Sequence, residues 1–170
     1  KPSVYVKLDS PIPGNPKAKS AAPKASPQSS LPKGRFLRIT VPGDNKILTL
    51  NEVEIMSGGK NVALSGKAKQ SSLGSGGVAS RGIDGNKNPD WNGGGQTHTD
   101  GSGSIAPWWE VDLGKSLAID KIEVWNRSGY ESRLNNFMVE LMDENRKKVF
   151  EKSKVRGAQR IVFDLKKKGE

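Results

Sequence analysis

The chain has 170 residues, 33% of them hydrophobic, with 20 glycines, no cysteine and a formal net charge of +10. That is about one domain's worth of foldable sequence. The missing cysteines exclude disulfides and thiolate metal sites, and no apolar run approaches the roughly 20 residues of a membrane helix. The charge sits at the ends: residues 1–34 hold six Lys and one Asp, residues 146–170 hold ten Lys or Arg and three acids, and residues 35–145 carry a net −2. Charge runs of this kind are ordinarily solvated tails and faces. No nucleic-acid partner is expected, and binding of an anionic polysaccharide or lipid is the minority reading.

Taken in order, "KPSVYVKLD" reads as a short strand or the tail of a preceding unit. The stretch that follows is Pro, Ala, Ser and Lys without apolar period, so residues 1–34 read as a linker or the end of a preceding unit. Seven of the 10 prolines lie there. Folded sequence is expected from Arg35 to Glu170. "RFLRITV" places Leu37, Ile39 and Val41 on one face, because side chains alternate along a strand. "PGDNK" is a turn. "ILTLNEVEIM" offers Leu48 and Leu50, then Val53 and Ile55, and the change of parity near Asn51 predicts a bulge or bend. "WWEVDLG" alternates Trp109, Val111 and Leu113 against Glu110 and Asp112. Ile122 and Val124, then Phe137, Val139 and Leu141, then Ile161, Phe163 and Leu165 continue the same period. No segment of ten or more residues has a helical period. Short alternating strands between Gly, Asn and Asp turns predict an all-β antiparallel sandwich or barrel. The Gly- and Asn-rich stretch between residues 60 and 107 predicts long loops, where binding residues concentrate.

The chemistry available is that of binding. One histidine, no cysteine and no serine in a nucleophile-elbow setting leave no catalytic triad, so no enzyme is expected. Glu110, Asp112, Asp120 and Glu123 alternate along strands and read as solvent-face residues. "GIDGNKNPD" gathers Asp84, Asn86, Asn88 and Asp90 in one turn. Such a turn can present several of the roughly six to eight oxygens that calcium takes, or it can simply be held by its own Asx side chains. His98 lies in a glycine-rich polar run before the Trp108–Leu113 stretch. Arg127 and Arg133 bound a short loop, where their planar forks suit neighbouring hydroxyl oxygens unless they pair with a local acid such as Glu131. Tyr130 or Trp91 offers an apolar face for a sugar ring, or packs.

Several stretches in combination, "NVALSGKAKQSS", "ASRGIDGN", "THT", "PWWEVDLG", "IDKIEVWNR" and "SRLNNFMVEL", resemble F-type (fucose-binding) lectin domains of the discoidin or coagulation-factor type C group. The resemblance runs from about Asn61 to Leu141. It implies a galactose-binding-like jelly roll of about eight strands, with sugar bound at the loops of one end and a structural calcium nearby. A segment like Arg35–Met56 normally closes such domains. Here it comes first, so the resemblance implies a circularly permuted domain in which residues 35–56 supply the final strands. Glu52 would then match the family's calcium-binding glutamate, with Arg81 through its carbonyl, Asp84, Asn86 and Thr97 completing the set. His98 matches the sugar-binding histidine, and Arg127 and Arg133 the two basic residues. The family pattern also carries an aspartate after the first arginine and often a cysteine pair. "RSGYESR" has neither, and Glu131 is the acid placed to stand in.

These readings lead to a carbohydrate-binding module recognising fucose or a related glycan through His98, Arg127 and Arg133, with Tyr130 beside them and Ca2+ bracing the loop. Such modules resemble exported or cell-surface parts of larger, bacterial multidomain proteins. The chain opens on Lys1 with no leader in view and reads as a piece of such a protein. The alternatives are a basic polyanion-binding module, whose affinity would fall steeply with salt, and a purely structural interaction domain, marked by an exposed apolar patch.

Overall fold

The computed structural model describes residues 30–166. The strand proposed at the start of the chain and the linker up to residue 29 lie outside the described residues. Nine strands form two antiparallel sheets: β1 (Lys33–Thr40), β2 (Glu52–Ser57), β3 (Lys60–Asn61), β4 (Lys67–Gln70), β5 (Trp108–Ala118), β6 (Lys121–Trp125), β7 (Phe137–Met142), β8 (Lys148–Val155) and β9 (Arg160–Asp164). One sheet has the order β4-β5-β1-β7-β8 and the other β3-β2-β6-β9. This is the all-β sandwich that the alternation predicts, and β1 stands at the centre of the larger sheet.

Most of the period-two residues are the core, while Leu113, Ile161 and Leu165 are half-buried and pack against it. Leu37, Ile39, Leu48, Leu50, Val53, Ile55, Trp109, Val111, Ile122, Val124, Phe137, Val139 and Leu141 are each fully buried. Removing one such side chain from water contributes about 1.5–3 kcal/mol, which supplies the force holding the sheets face to face. The bend expected near Asn51 is present. Leu48 and Leu50 belong to no strand, but they are bonded to Thr97 and Thr99 in both directions: Thr97 N–H to Leu50 O at 2.8 Å and Thr99 N–H to Leu48 O at 3.0 Å. In return the Thr hydroxyl oxygens accept from the Leu48 and Leu50 amides at 2.9 Å each. β2 begins immediately afterwards with the opposite parity.

Two features depart from the sequence reading. β8 has no alternation in burial; it is an edge strand bonded only to β7, with most of its side chains in solvent. Nor do the strand acids simply face solvent. Glu110, Glu123 and Asp120 are 1%, 4% and 8% exposed, whereas Asp112 is half-buried. The reason is cross-strand cover. Arg38 and Lys69 sit opposite Glu110 on its two neighbouring strands. Arg38 Nε donates to Glu110 Oε2 at 2.8 Å, Lys69 lies 3.3 Å from Oε1, and Arg146 donates to both oxygens at 3.0 Å. Glu123 is paired with Arg160 of the neighbouring β9 and with Lys121 of its own strand.

Burial alone would raise the Glu110 carboxyl, but the bonds from Arg146 and Arg38 outweigh it and hold the group below its ordinary value of 4.5. Its contribution to stability is therefore full above pH 4.5 and lost as the pH falls through the lower native value. Glu110→Gln is expected to cost about 1–3 kcal/mol at pH 7, discounted from the figure for a fully buried pair because the cations are partly solvated. In urea melts the difference from wild type closes as the pH drops well below 4.5. A difference that stays constant with pH would rule out the ionic origin.

Candidate functional site

His98 is placed by its backbone. Its amide donates to Gly77 O at 2.8 Å, and its carbonyl accepts from Gly74 N–H at 2.8 Å and from the Gln70 side-chain amide at 3.0 Å. The loop carrying Gly74 and Gly77 lies directly on this segment. A Cβ at Gly77 would sit 2.5 Å from His98 N, and one at Gly74 would sit 2.6 Å from Thr99 O. Only glycine permits that approach. The other edge of the segment is bonded to Leu48 and Leu50, as described, so the histidine is held from both sides.

The ring is held as well. Nδ1 lies 2.8 Å from Thr99 O. A carbonyl can only accept, so Nδ1 carries the proton and Nε2 presents its lone pair. Burial chiefly, and then the charges of Arg133 and Arg127, hold the imidazole below its ordinary value of 6.5. It is therefore neutral at pH 7. Arg133 Nη1 lies 3.4 Å from Nε2, and Trp91 meets the ring edge-on with centroids 5.7 Å apart.

Arg127 lies two residues beyond β6, and its amide donates to the side chain of Asn126 at 2.8 Å. Arg133 lies on the 3-10 turn Glu131–Leu134, which fully buried Leu134 pins to the core. The two guanidiniums share one aromatic ring: their central carbons lie 4.2 Å and 4.3 Å from the centre of Tyr130, and Arg127 also lies 4.6 Å from that of Trp91. Such contacts are worth about 0.5–2 kcal/mol each. Neither arginine is ion-paired with an acid among the described residues. Glu131 spends its carboxylate on the Gly129 amide at 3.0 Å instead. Burial, and then the charge of Arg127, lower the Arg133 guanidinium from its ordinary value. The structure thus brings His98, Arg127, Arg133 and Tyr130 together, and adds Trp91, which the sequence left between packing and binding. The signal for Trp91 was its place before a glycine-rich run; nothing local showed that it would fold back onto His98.

The second set of residues is more divided. Asp84, Asn86, Asn88 and Asp90 form four successive Asx turns, accepting from the amides of Asn86, Asn88, Asp90 and Asn92 at 2.8, 3.1, 3.1 and 3.3 Å. The Asn86 side chain is thereby used within the turn, and its carbonyl accepts from Asn51 at 3.4 Å. Thr97 is buried, its hydroxyl oxygen accepting from Leu50 N–H, and the Arg81 side chain reaches Gln96 O at 3.4 Å. Glu52 is fully buried. One oxygen accepts from Gly85 N–H at 3.1 Å and the other, Oε2, has no partner. Burial, opposed by the Gly85 bond and aided by the charge of Asp84, pushes its carboxyl up to about 7. Buried Gln96, missed in the sequence, has an unpartnered Oε1. Among the described residues no cluster of three or more His, Cys, Asp or Glu is suited to a metal ion.

Known proteins match both the fold and these loops. Residues 81–169 fit the sequence profile of the NedA-like, galactose-binding domain family. Fucolectin-1 of Anguilla japonica is 42% identical over 73 residues, 40% of this chain and 40% of that protein, and Fucolectin-5 of the same species is 41% identical over 73 residues, 40% of this chain and 38% of its own length. The chain thus spans about two fifths of the length of these relatives. Among solved structures, the lectin domain of lectinolysin complexed with Lewis b antigen superposes with a TM-score of 0.57 at 33% identity, over 62% of this chain and 76% of that one. A fucose binding module of Streptococcus pneumoniae gives 0.55 at 36% identity, over 66% and 81%. A serum fucolectin of striped bass, Morone saxatilis, gives 0.56 at 20% identity, over 80% and 69%, a likeness of fold alone. The chain belongs to the NedA-like, galactose-binding domain family, as an F-type lectin domain. It is a binding domain, not an enzyme.

Because His98 is the only histidine in the chain, its titration can be followed as a single imidazole signal by NMR. The midpoint is expected below 6.5, with Nδ1 protonated in the neutral form. Arg133→Ala, which removes both cover and charge, is expected to move the midpoint upward. The unfolded chain takes the proton first, so this group lowers stability as the pH falls below 6.5. A midpoint at or above 6.5 in wild type would contradict the geometry.

Proposed function

We propose that the domain is a lectin module that binds fucose or a related glycan at His98, Arg127 and Arg133. The observation carrying this reading is one neutral acceptor nitrogen set beside two guanidiniums that no carboxylate of the described residues neutralises. A sugar ring displays neighbouring hydroxyls, each both donor and acceptor. A sugar hydroxyl takes the place of Arg133 Nη1, 3.4 Å away, at the single Nε2 lone pair of His98, the arginine forks donate to the oxygens beside it, and Tyr130 or Trp91 covers an apolar face of the ring. The matches to fucolectins, to the fucose binding module and to the lectin domain bound to Lewis b antigen support this choice of ligand. Among the described residues no helix is long and apolar enough to cross a membrane. A glycan-binding module acts where glycans are displayed, and in this reading it works outside the cell as part of a larger bacterial surface protein.

Calcium fits the neighbouring loop. An unpartnered, buried carboxylate oxygen of Glu52 beside Asp84 is what a hard cation would satisfy. Glu52 and Asp84 would hold the ion, helped by neutral oxygens of Arg81, Asn86 and Thr97. Its part would be structural: its charge would offset the burial that chiefly raises Glu52, together with the repulsion from Asp84, and so brace the loop leading to Trp91 and His98.

A second reading has its own observation. Between the free edges of β8 and β9 lies a hollow of about 630 Å³ lined in part by Val149, Phe150, Val162 and Phe163, and a structural interaction domain would use it to pack on a neighbour.

A glycan array with isothermal titration separates the two. Monosaccharide affinity is expected near the ~mM end of the scale, and His98→Ala is expected to weaken it by about tenfold or more, the loss of one well-placed hydrogen bond. At calcium 100 times its Kd the melting free energy rises by about 2.7 kcal/mol, and Glu52→Gln removes that rise. Absence of any glycan binding would favour the packing reading. A melting curve unmoved by calcium or chelator would remove the ion from the account.

A further inference from the structure

Arg133 faces two spaces. Its Nη1 lies 3.4 Å from His98 Nε2, and the same residue lines a hollow of about 490 Å³ on the flank of the loops. That is within the roughly 300–1,000 Å³ of small-ligand clefts. Lys46, Asn45, Ser132 and Asn135 share its wall, with Ile47 as an apolar patch, and no acid lines it. Lys46 is exposed and, like Arg133, forms no ion pair with any described residue.

The wall is biased toward donors. Asn45 Oδ1 already accepts from Gly103 N–H at 2.9 Å, and Asn135 Oδ1 accepts from Gly157 N–H at 2.9 Å. The Lys46 carbonyl is taken by the Ser104 hydroxyl at 2.7 Å, and the Ser132 carbonyl by the Asn135 amide at 3.0 Å. The side-chain groups left over are two amide NH2 groups, an ammonium and a guanidinium, with one hydroxyl of either character. A neutral sugar needs acceptors as well as donors from its site. A wall whose two side-chain amide oxygens are already engaged, and whose two cations form no ion pair among the described residues, favours negative charge.

We propose that this hollow is a second subsite that receives an anionic substituent, a sulfate ester or a carboxylate, of a glycan whose adjoining sugar rests against His98 and Arg127. The assignment rests on the lectin reading above and names the ligand class within it. Arg133 bridges the subsites, donating to the neutral sugar on one side and to the anion on the other, while Lys46 supplies the second charge.

The test uses three glycans with one common neutral core, which carry a sulfate ester, a carboxylate or neither. Titration at low and high salt is run on wild type, Lys46→Gln and Lys46→Glu. Lys46 is exposed, so the variants are expected to melt like wild type, and circular dichroism checks that they do. At low salt at least one anionic glycan is expected to bind about tenfold more tightly than the neutral core, a difference of about 1.4 kcal/mol. That preference is expected to shrink as salt screens it, to fall toward one in Lys46→Gln and to reach one or less in Lys46→Glu. Whichever of sulfate and carboxylate gains more identifies the group. Equal binding of all three glycans to wild type overturns the proposal and leaves the lectin reading intact, provided the shared binding is lost in His98→Ala. A preference untouched by Lys46→Glu also overturns it, because the anion then sits elsewhere. Failure of all three to bind overturns the lectin reading itself, and this proposal with it.

Discussion

The segment Gln96–Thr99 is the constraint on which the rest of the structure depends. It belongs to no strand, yet its backbone is bonded on one side to Leu48 and Leu50 and on the other to Gly74 and Gly77. Thr97 and Thr99 turn their hydroxyls back onto the same Leu amides, so these buried backbone groups are satisfied without a ladder. This stitching closes the end of the sandwich where β1, β2 and the long loops meet. It also fixes the only histidine in a single place and a single tautomer. A side chain presented by a free loop would spend binding energy on its own ordering; one held at both backbone groups and at Nδ1 does not.

Charge is used in two opposite ways on the same scaffold. On the outer face of the larger sheet, Glu110 is enclosed by Arg38, Lys69 and Arg146, and the cluster is satisfied within the fold. At the loop end, Arg127 and Arg133 have only aromatic rings and a neutral imidazole beside them. Cation–π contact holds the guanidiniums without consuming their N–H donors. That leaves hydrogen-bonding capacity for something outside the chain, which a carboxylate partner would have taken up. The excess of basic residues at the chain's ends is thus separate from the local positive charge that the site itself carries.

Much of this was legible in the sequence, and the limits are physical. Leu37, Ile39, Val53, Ile55, Ile122 and Val124 announced their strands because each has a wet side and a dry side. β8 did not, because as an edge strand it is wet on nearly every side. Glu110 read as solvent-facing because alternation reports which face a residue points to, and not what the neighbouring strands lay over it. Of the two readings open for Asp84–Asp90, the ladder of Asx turns is what the fold displays, and it follows directly from the spacing of two. The convergence of His98, Arg127 and Arg133 came from resemblance to F-type lectin motifs, since no local pattern brings positions so far apart in sequence together. The contributions of Trp91, of Gln96 and of the close glycine approach at Gly74 and Gly77 depend on how loops fold back, which period and composition do not encode.

The central claim is that a neutral imidazole nitrogen, flanked by two guanidiniums free of carboxylates, meets a sugar hydroxyl. The most direct measurement is the nitrogen chemical shift of the His98 ring before and after addition of a fucosylated glycan at pH 7. The account predicts that Nε2 begins as an unprotonated acceptor and moves on binding, while Nδ1, held by Thr99 O, hardly changes. A free protein whose Nε2 already bears the proton, or a bound glycan that leaves both nitrogens unmoved, would contradict it.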